Sequence, residues 1–180
     1  MQFIRTTFLI FLLTLSNLAF SVTKAELDAE IKVALDELYK FSPAAQELSK
    51  KAKGILVFPG IIKAGLVFGG AYGEGALIIG GKKVQYYNNI GGSVGFQIGV
   101  QKRSEVYVFM TDAALNDFRN RSGWEAGGDA SVAVAVWGVG GEINTESIND
   151  PVIAFVYSDK GLMYNLTLEG GKISKIDTPK

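Results

Sequence analysis

Lys50-Lys51-Ala52-Lys53-Gly54-Ile55-Leu56-Val57-Phe58-Pro59-Gly60 is the stretch at which this chain changes character. From residue 24 to Lys53 there is no glycine, and all 22 glycines fall between Gly54 and Gly171. Upstream, Leu27, Ile31, Ala34, Leu35 and Leu38 recur at helical spacing. Asp28 with Lys32 and Asp36 with Lys40 make i,i+4 pairs on the opposite side. This predicts an amphipathic helix over residues 26–40. Ser42 ahead of Pro43 is a hydroxyl cap before a proline at the first helical position, so a second short helix runs toward Lys53, with Gly54 as its stop.

Downstream of Gly54 the pattern is one of short strands: Gly54–Phe58, Gly65–Tyr72, Gly75–Ile79, Val84–Tyr87, Gly92–Val100, Glu105–Met110, Ser131–Trp137, Val152–Tyr157 and Met163–Leu168. Gly69-Gly70 and Gly91-Gly92 read as connections between them. In the fifth strand Val94, Phe96, Ile98 and Val100 alternate with glycine, serine and amides, which predicts that these four point inward. Thr111 caps one more helix, through Leu115 and Phe118 to Arg119. The fold class expected is α+β, mainly β: a small antiparallel β-barrel-like core over residues 54–170, with the helical segment 24–53 and one further helix packed outside. An outer-membrane barrel fits poorly, because most strands are shorter than the ~9–11 residues that span a bilayer and Val132–Trp137 is apolar on both faces.

The N-terminus has Arg5, an apolar run from Phe8 to Leu15, then Ser16-Asn17-Leu18-Ala19-Phe20-Ser21, with small residues at −3 and −1 of a cut after Ser21. Residues 1–21 are read as a signal peptide and 22–180 as one domain. The apolar run is short against the ~20 residues of a spanning helix. With no cysteine after it, a lipoprotein is excluded, and the expected location is periplasmic or secreted.

Composition removes whole classes of chemistry. Eighteen basic and eighteen acidic residues cancel, so no global field draws the chain to nucleic acid. There is no cysteine and no histidine, hence no disulfide, thiolate nucleophile or zinc–thiolate site, and the commonest general base is missing. No phosphate-binding glycine motif occurs, and no cofactor or metal is expected. Asp112 with Asp117, or Glu125 with Asp129, are the carboxylate pairs that acid–base work would use, but helix starts and loop solvation account for each. Lys50, Lys51, Lys53 and Lys63 form the main candidate site, an anionic-headgroup patch; the competing reading is that lysines in a last helical turn complement the helix dipole. Arg119, Arg121 and Trp124 form a second candidate, a membrane or partner loop, unless the tryptophan is a core plug.

Several ordered blocks resemble one family. Lys51-Ala52-Lys53-Gly54-Ile55-Leu56-Val57-Phe58-Pro59 is followed by Lys63-Ala64-Gly65 and Gly69-Gly70-Ala71-Tyr72-Gly73-Glu74-Gly75. Then come Gly91-Gly92-Ser93-Val94-Gly95-Phe96-Gln97-Ile98-Gly99, Phe109-Met110-Thr111-Asp112, Gly128-Asp129-Ala130-Ser131-Val132-Ala133 and Tyr157-Ser158-Asp159-Lys160-Gly161-Leu162. Together they resemble the SYLF domain family, the lipid-binding relatives of the yeast actin-regulator domain, in an exported bacterial-looking form. The resemblance implies a β-barrel core with helices outside, and binding of phospholipid, phosphoinositides among them, through an N-terminal amphipathic helix and basic residues. Lys51, Lys53 and Lys63 stand in matching blocks. Actin, a partner of eukaryotic relatives, has no evident role for an exported chain. Two segments depart from the family: Lys82-Lys83-Val84-Gln85-Tyr86-Tyr87 replaces an aromatic-and-proline stretch, and Ala135-Val136-Trp137 stands where Gly-Pro is common.

The leading expectation is therefore an exported, non-enzymatic module that binds an anionic phospholipid surface. The alternative is a structural module docking another envelope protein, and an enzyme comes third.

Overall fold

The computed structural model describes residues 22–65, 68–94, 99–126, 128–136, 150–158 and 171–179. The expected signal peptide, Phe96 and Ile98, and the expected strand Met163–Leu168 lie outside the described residues.

Helix α1 spans Lys24–Phe41 and starts in a capping box: the Thr23 hydroxyl accepts the Glu26 backbone N–H, and the Thr23 N–H donates to the Glu26 carboxylate at 2.9 Å. Ser42 ends α1 and caps α2 (Pro43–Lys51), its hydroxyl accepting the Ala45 N–H at 3.1 Å. Helix α3 spans Asp112–Asn120 with Thr111 as its cap. The strands are β1 (Gly54–Gly65), β2 (Phe68–Ile79), β3 (Lys82–Val94), β4 (Gly99–Phe109), β5 (Trp124–Glu125), β6 (Val132–Val136), β7 (Val152–Tyr157) and β8 (Gly171–Ile176).

They form one eight-stranded sheet in the order β5-β8-β3-β2-β1-β4-β7-β6. All neighbours are antiparallel except β6 and β7, which run parallel. The expected α+β, mainly β class holds, and the barrel-like core is an open sheet that is antiparallel but for the β6–β7 pair. It nonetheless curls. Trp124 of β5 stacks edge-on against Tyr107 of β4 at 5.8 Å, although four strands stand between β5 and β4. Only a sheet rolled about that face brings the two rings together, giving half a barrel.

Glycine pairs expected to separate strands instead lie inside them: Gly69 pairs with Ser93 and Gly70 with Gly92. The expected strands 65–72 and 75–79 are consequently one continuous β2. The turn that does occur is Gly80-Gly81, both with positive φ, closing a two-residue hairpin between Ile79 and Lys82. The expected fifth strand is divided, residues 92–94 belonging to β3 and 99–100 to β4. Val100 is not inward but 73% exposed. Strand β8, which ends the chain's sheet, was not expected.

Two apolar layers cover the two faces, as side chains alternate along each strand. Leu27, Ile31, Ala34 and Leu38 of α1 pack with Val57, Val106, Val108, Ile153 and Phe155 on what we call the outer face. The Tyr157 hydroxyl ties α1 to that face by donating to the Ala34 carbonyl. On the inner face Leu56, Phe58, Leu77, Tyr87, Tyr107 and Phe109 meet Leu115 and Phe118 of α3, and Trp124. At Pro59-Gly60 the register of β1 shifts against both neighbours, bending the strand. Gly75 allows β2 to approach that bend, since a Cβ there would lie 2.2 Å from the Val57 carbonyl oxygen.

Candidate functional site

The four lysines singled out from the sequence separate into two groups. Lys50 and Lys51 stand in the last turn of α2, and Lys53 in the link to β1. Each meets or neighbours an acid: Lys50 pairs with Glu47 at 2.6 Å, and Lys53 reaches Asp112 at the start of α3, 3.5 Å away. The Lys50 hydrogen bond, with its charge, holds the Glu47 carboxyl below the ordinary carboxylate range. Lys63 is in strand β1, not in a turn. Nine residues beyond Gly54, at ~3.3 Å per residue, put it roughly 30 Å along the strand before the bend shortens the distance. It faces the inner side across from Gln101, half-buried and engaged in contacts of its own. No four-lysine patch is assembled.

The second candidate resolves into structure. Trp124 is 1% exposed and packs against Tyr107, Phe109 and Phe118. It is the core plug rather than a membrane or partner residue, and its indole N–H is without a hydrogen-bond partner. Arg121 binds Asp117 at 2.9 Å and Asp129 at 2.8 Å, while Asp129 also accepts the Glu125 N–H. Arg119 remains exposed on α3. The carboxylates considered for acid–base work are therefore divided: Asp117 and Asp129 clamp a loop through Arg121, and Asp112 faces Lys53.

A buried polar knot lies on the inner face. Glu105, with no solvent exposure, accepts Arg103 Nε at 2.8 Å, the Tyr107 hydroxyl at 2.7 Å and Asn89 Nδ2 at 3.2 Å. Burial, and then the Glu105 charge and hydrogen bond, push the Tyr107 phenol well above its ordinary range. The carboxylate is satisfied on both oxygens, which is the condition under which a charge tolerates such burial.

The outer face carries what the sequence did not disclose. Helix α1 covers one end of strands β1–β4 and leaves the other end bare. There Ile62, Tyr72, Ile90 and Val100 are 51%, 47%, 53% and 73% exposed. Ile62 is paired with Tyr72, Tyr72 with Ile90, Ile62 with Lys102 and Ile90 with Lys172, so these five side chains form one row across β4, β1, β2, β3 and β8. Beside the row, a Cβ added at Gly70 or Gly92 would meet nothing within 4 Å. The Tyr72 hydroxyl donates to Glu74 at 2.6 Å, and burial together with that carboxylate pushes the phenol up to about 12, so it stays neutral. No single strand shows this pattern, because each contributes one exposed residue.

Two grooves adjoin α1. One of ≈ 560 Å³ is lined by Lys24, Asp28, Lys82, Lys83 and Tyr86, with Asp28 bound to Lys24 at 2.9 Å and to Lys83 at 3.2 Å. The expected Asp28–Lys32 pair is replaced by these two contacts. The other, of ≈ 350 Å³, runs between Glu30, Val33 and Glu37 of α1 and Pro59, Lys102 and Ser104 of the sheet. Among the described residues no group of three or more acidic residues is placed to hold a metal ion, and no helix is long and apolar enough to cross a membrane.

No curated protein matches the chain. Residues 90–178, from the end of β3 through β8, match the Ysc84 family model, described as Las17-binding protein actin regulator. Over that span, which holds β4, α3 and the whole second half of the sheet, the chain belongs to the Ysc84 (SYLF) domain family.

Proposed function

We propose that this protein is an exported, non-catalytic module that binds the surface of anionic phospholipid membranes reversibly. The Ysc84 family is known for association with lipid and with actin regulators, and the lipid branch of that association suits an exported chain. The observation that carries the reading is the bare end of the outer sheet face, where large apolar side chains and lysines share one uncovered surface. Lipid surfaces reward that combination: tyrosine and isoleucine settle at the boundary of headgroup and acyl chain, and each lysine near an anionic surface adds on the order of 1 kcal/mol. An enzyme would need titratable groups converging in a cleft. The acids and bases considered for that role are instead spent in pairs such as Arg121–Asp117 and Lys53–Asp112.

Co-sedimentation with liposomes tests the proposal. Binding to vesicles containing phosphatidylglycerol that weakens from 50 to 500 mM salt, with little binding to phosphatidylcholine alone, is the expected result. Equal and salt-independent recovery with both vesicle types would point to the envelope-protein alternative.

A further inference from the structure

We propose that the row Lys102–Ile62–Tyr72–Ile90–Lys172 is the part of the molecule that seats on the membrane, with the three central side chains entering the boundary of headgroup and acyl chain and the two lysines resting on phosphates. This inference rests on the lipid-surface reading above and assigns it to residues.

The register makes the row continuous. Residues directly opposite one another in antiparallel strands sit ~4.5–5.5 Å apart, so the four steps from Lys102 to Lys172 set them roughly 19 Å from each other with an unbroken apolar crest between them. The half-exposed state of Ile62, Tyr72 and Ile90 and the open space at Gly70 and Gly92 leave the crest accessible from outside. Charge complementarity chooses the occupant. Cations stand at both ends of the apolar crest; of the acids on this face, Glu74 is hydrogen-bonded by the Tyr72 hydroxyl and Glu125 of β5 lies directly opposite Lys172, which leaves Lys102 as the cation with no acid opposite it in the register among the described residues. A partner protein with an apolar patch would match the crest but leave Lys102 without use, whereas a phospholipid surface presents phosphate and hydrocarbon in adjacent layers. The acids of α1 near Lys102, Glu30 and Glu37, lie on the far side of the ≈ 350 Å³ groove, so repulsion from anionic headgroups turns α1 away and the tips of the strands toward the membrane.

The chain contains no cysteine, which allows a direct test. Ile90→Cys carrying a polarity-sensitive dye should shift to shorter wavelength on vesicles containing 30% phosphatidylglycerol, while the same dye at Lys51→Cys should not. In binding titrations, Lys102→Gln with Lys172→Gln should weaken partitioning to these vesicles by about tenfold or more at low salt, and Ile62→Ser with Tyr72→Ser and Ile90→Ser should weaken it at every salt concentration. Lys50→Gln with Lys51→Gln and Lys53→Gln should change it less than about threefold. Near-UV circular dichroism shows whether each variant is folded, and the labelled single-cysteine proteins answer the question independently if the triple variant is not. Wild-type binding together with unchanged binding by folded row variants and no shift at residue 90 would overturn the assignment while leaving the lipid reading in place. No binding by the wild type would remove both. Concentration-dependent dimerisation that the row variants abolish, without vesicle binding, would assign the row to a second copy of the chain and overturn the proposal.

Discussion

Arg103 and Glu105 stand two residues apart on β4, share the inner face of the sheet, and are joined Nε to Oε1 at 2.8 Å with almost no access to water. Removing one member of a buried pair leaves the other uncompensated, a loss of about 3–5 kcal/mol. Glu105→Ala should therefore be among the most destabilising single changes in the domain. Glu105→Gln, which keeps an acceptor for Tyr107 and Asn89, should retain part of the loss. Urea denaturation of the two variants measures the difference.

The aromatic cluster makes a paired prediction. Phe118 is 1% exposed and touches Tyr87, Phe109 and Trp124, so Phe118→Ala should cost about 3–5 kcal/mol. Trp124 fills the same cluster, but its indole N–H is orphaned. Trp124→Phe deletes an unsatisfied donor along with some volume, and the two effects oppose each other. Its loss should stay below about 2 kcal/mol in the same denaturation assay.

Glycines on the two faces should respond in opposite ways. Gly75→Ala drives a methyl group into the Val57 carbonyl, and overpacking of this kind costs about 1–3 kcal/mol or more. Gly70→Ala meets open space and should lie within about 0.5 kcal/mol of wild type. Thermal melts of the two variants suffice. Equal losses would show that β2 does not approach the β1 bend as described.

Asp28 links stability to pH. Burial raises its pKa, but hydrogen bonds from Lys24, Tyr86 and Lys83 outweigh burial and leave it below the ordinary aspartate value. A carboxylate whose folded pKa is depressed contributes stability that is present above the unfolded pKa of about 3.9 and lost as pH falls through the folded value. Asp28→Asn should thus lower stability by an amount, under about 1 kcal/mol for a partly exposed cluster, that is constant from pH 5 to 7, starts to shrink near pH 4 and disappears once the pH is below the depressed folded value. A difference that is undiminished at pH 3 would mean that packing, not charge, is what Asp28 contributes.

Local signals were legible and relational ones were not. The apolar spacing of Leu27, Ile31, Ala34 and Leu38, the Ser42-Pro43 cap and the Thr111 cap each state their role within a few residues, and all three helices are where these signals put them. The unbroken apolar run of β7 and the β-branched and aromatic second half of β4 are equally local signals. Gly69-Gly70 and Gly91-Gly92 misled because glycine in a turn and glycine in a strongly curved strand are the same letter, and only the partner strand distinguishes them. Lys63 was grouped with Lys51 and Lys53 by sequence distance, whereas an extended strand carries it far from them. Trp124 was ambiguous for a similar reason: its burial depends on the curl of a sheet formed by distant segments. The exposed row was invisible in principle, since Ile62, Tyr72 and Ile90 are neighbours only through the register of three strands.

The strand order also dictates a sequence of events for a chain made from its N-terminus. Strands β1, β2 and β3 follow one another in the chain and pair as neighbours, and β4 pairs with β1, so this part of the sheet has low contact order and can assemble before the rest of the chain is in place. Strand β8 is different: it emerges last, and must travel from the β7 side of the sheet to the free edge of β3, where Gln85 reaches the Ile176 carbonyl across a separation of 91 residues. Until it arrives, the backbone of β3 from Tyr86 to Gly91 offers an unpaired edge. Each nascent molecule therefore passes through a period in which a neighbouring copy competes with its own C-terminus for the same hydrogen bonds, and loss of the last ten residues would make that competition permanent.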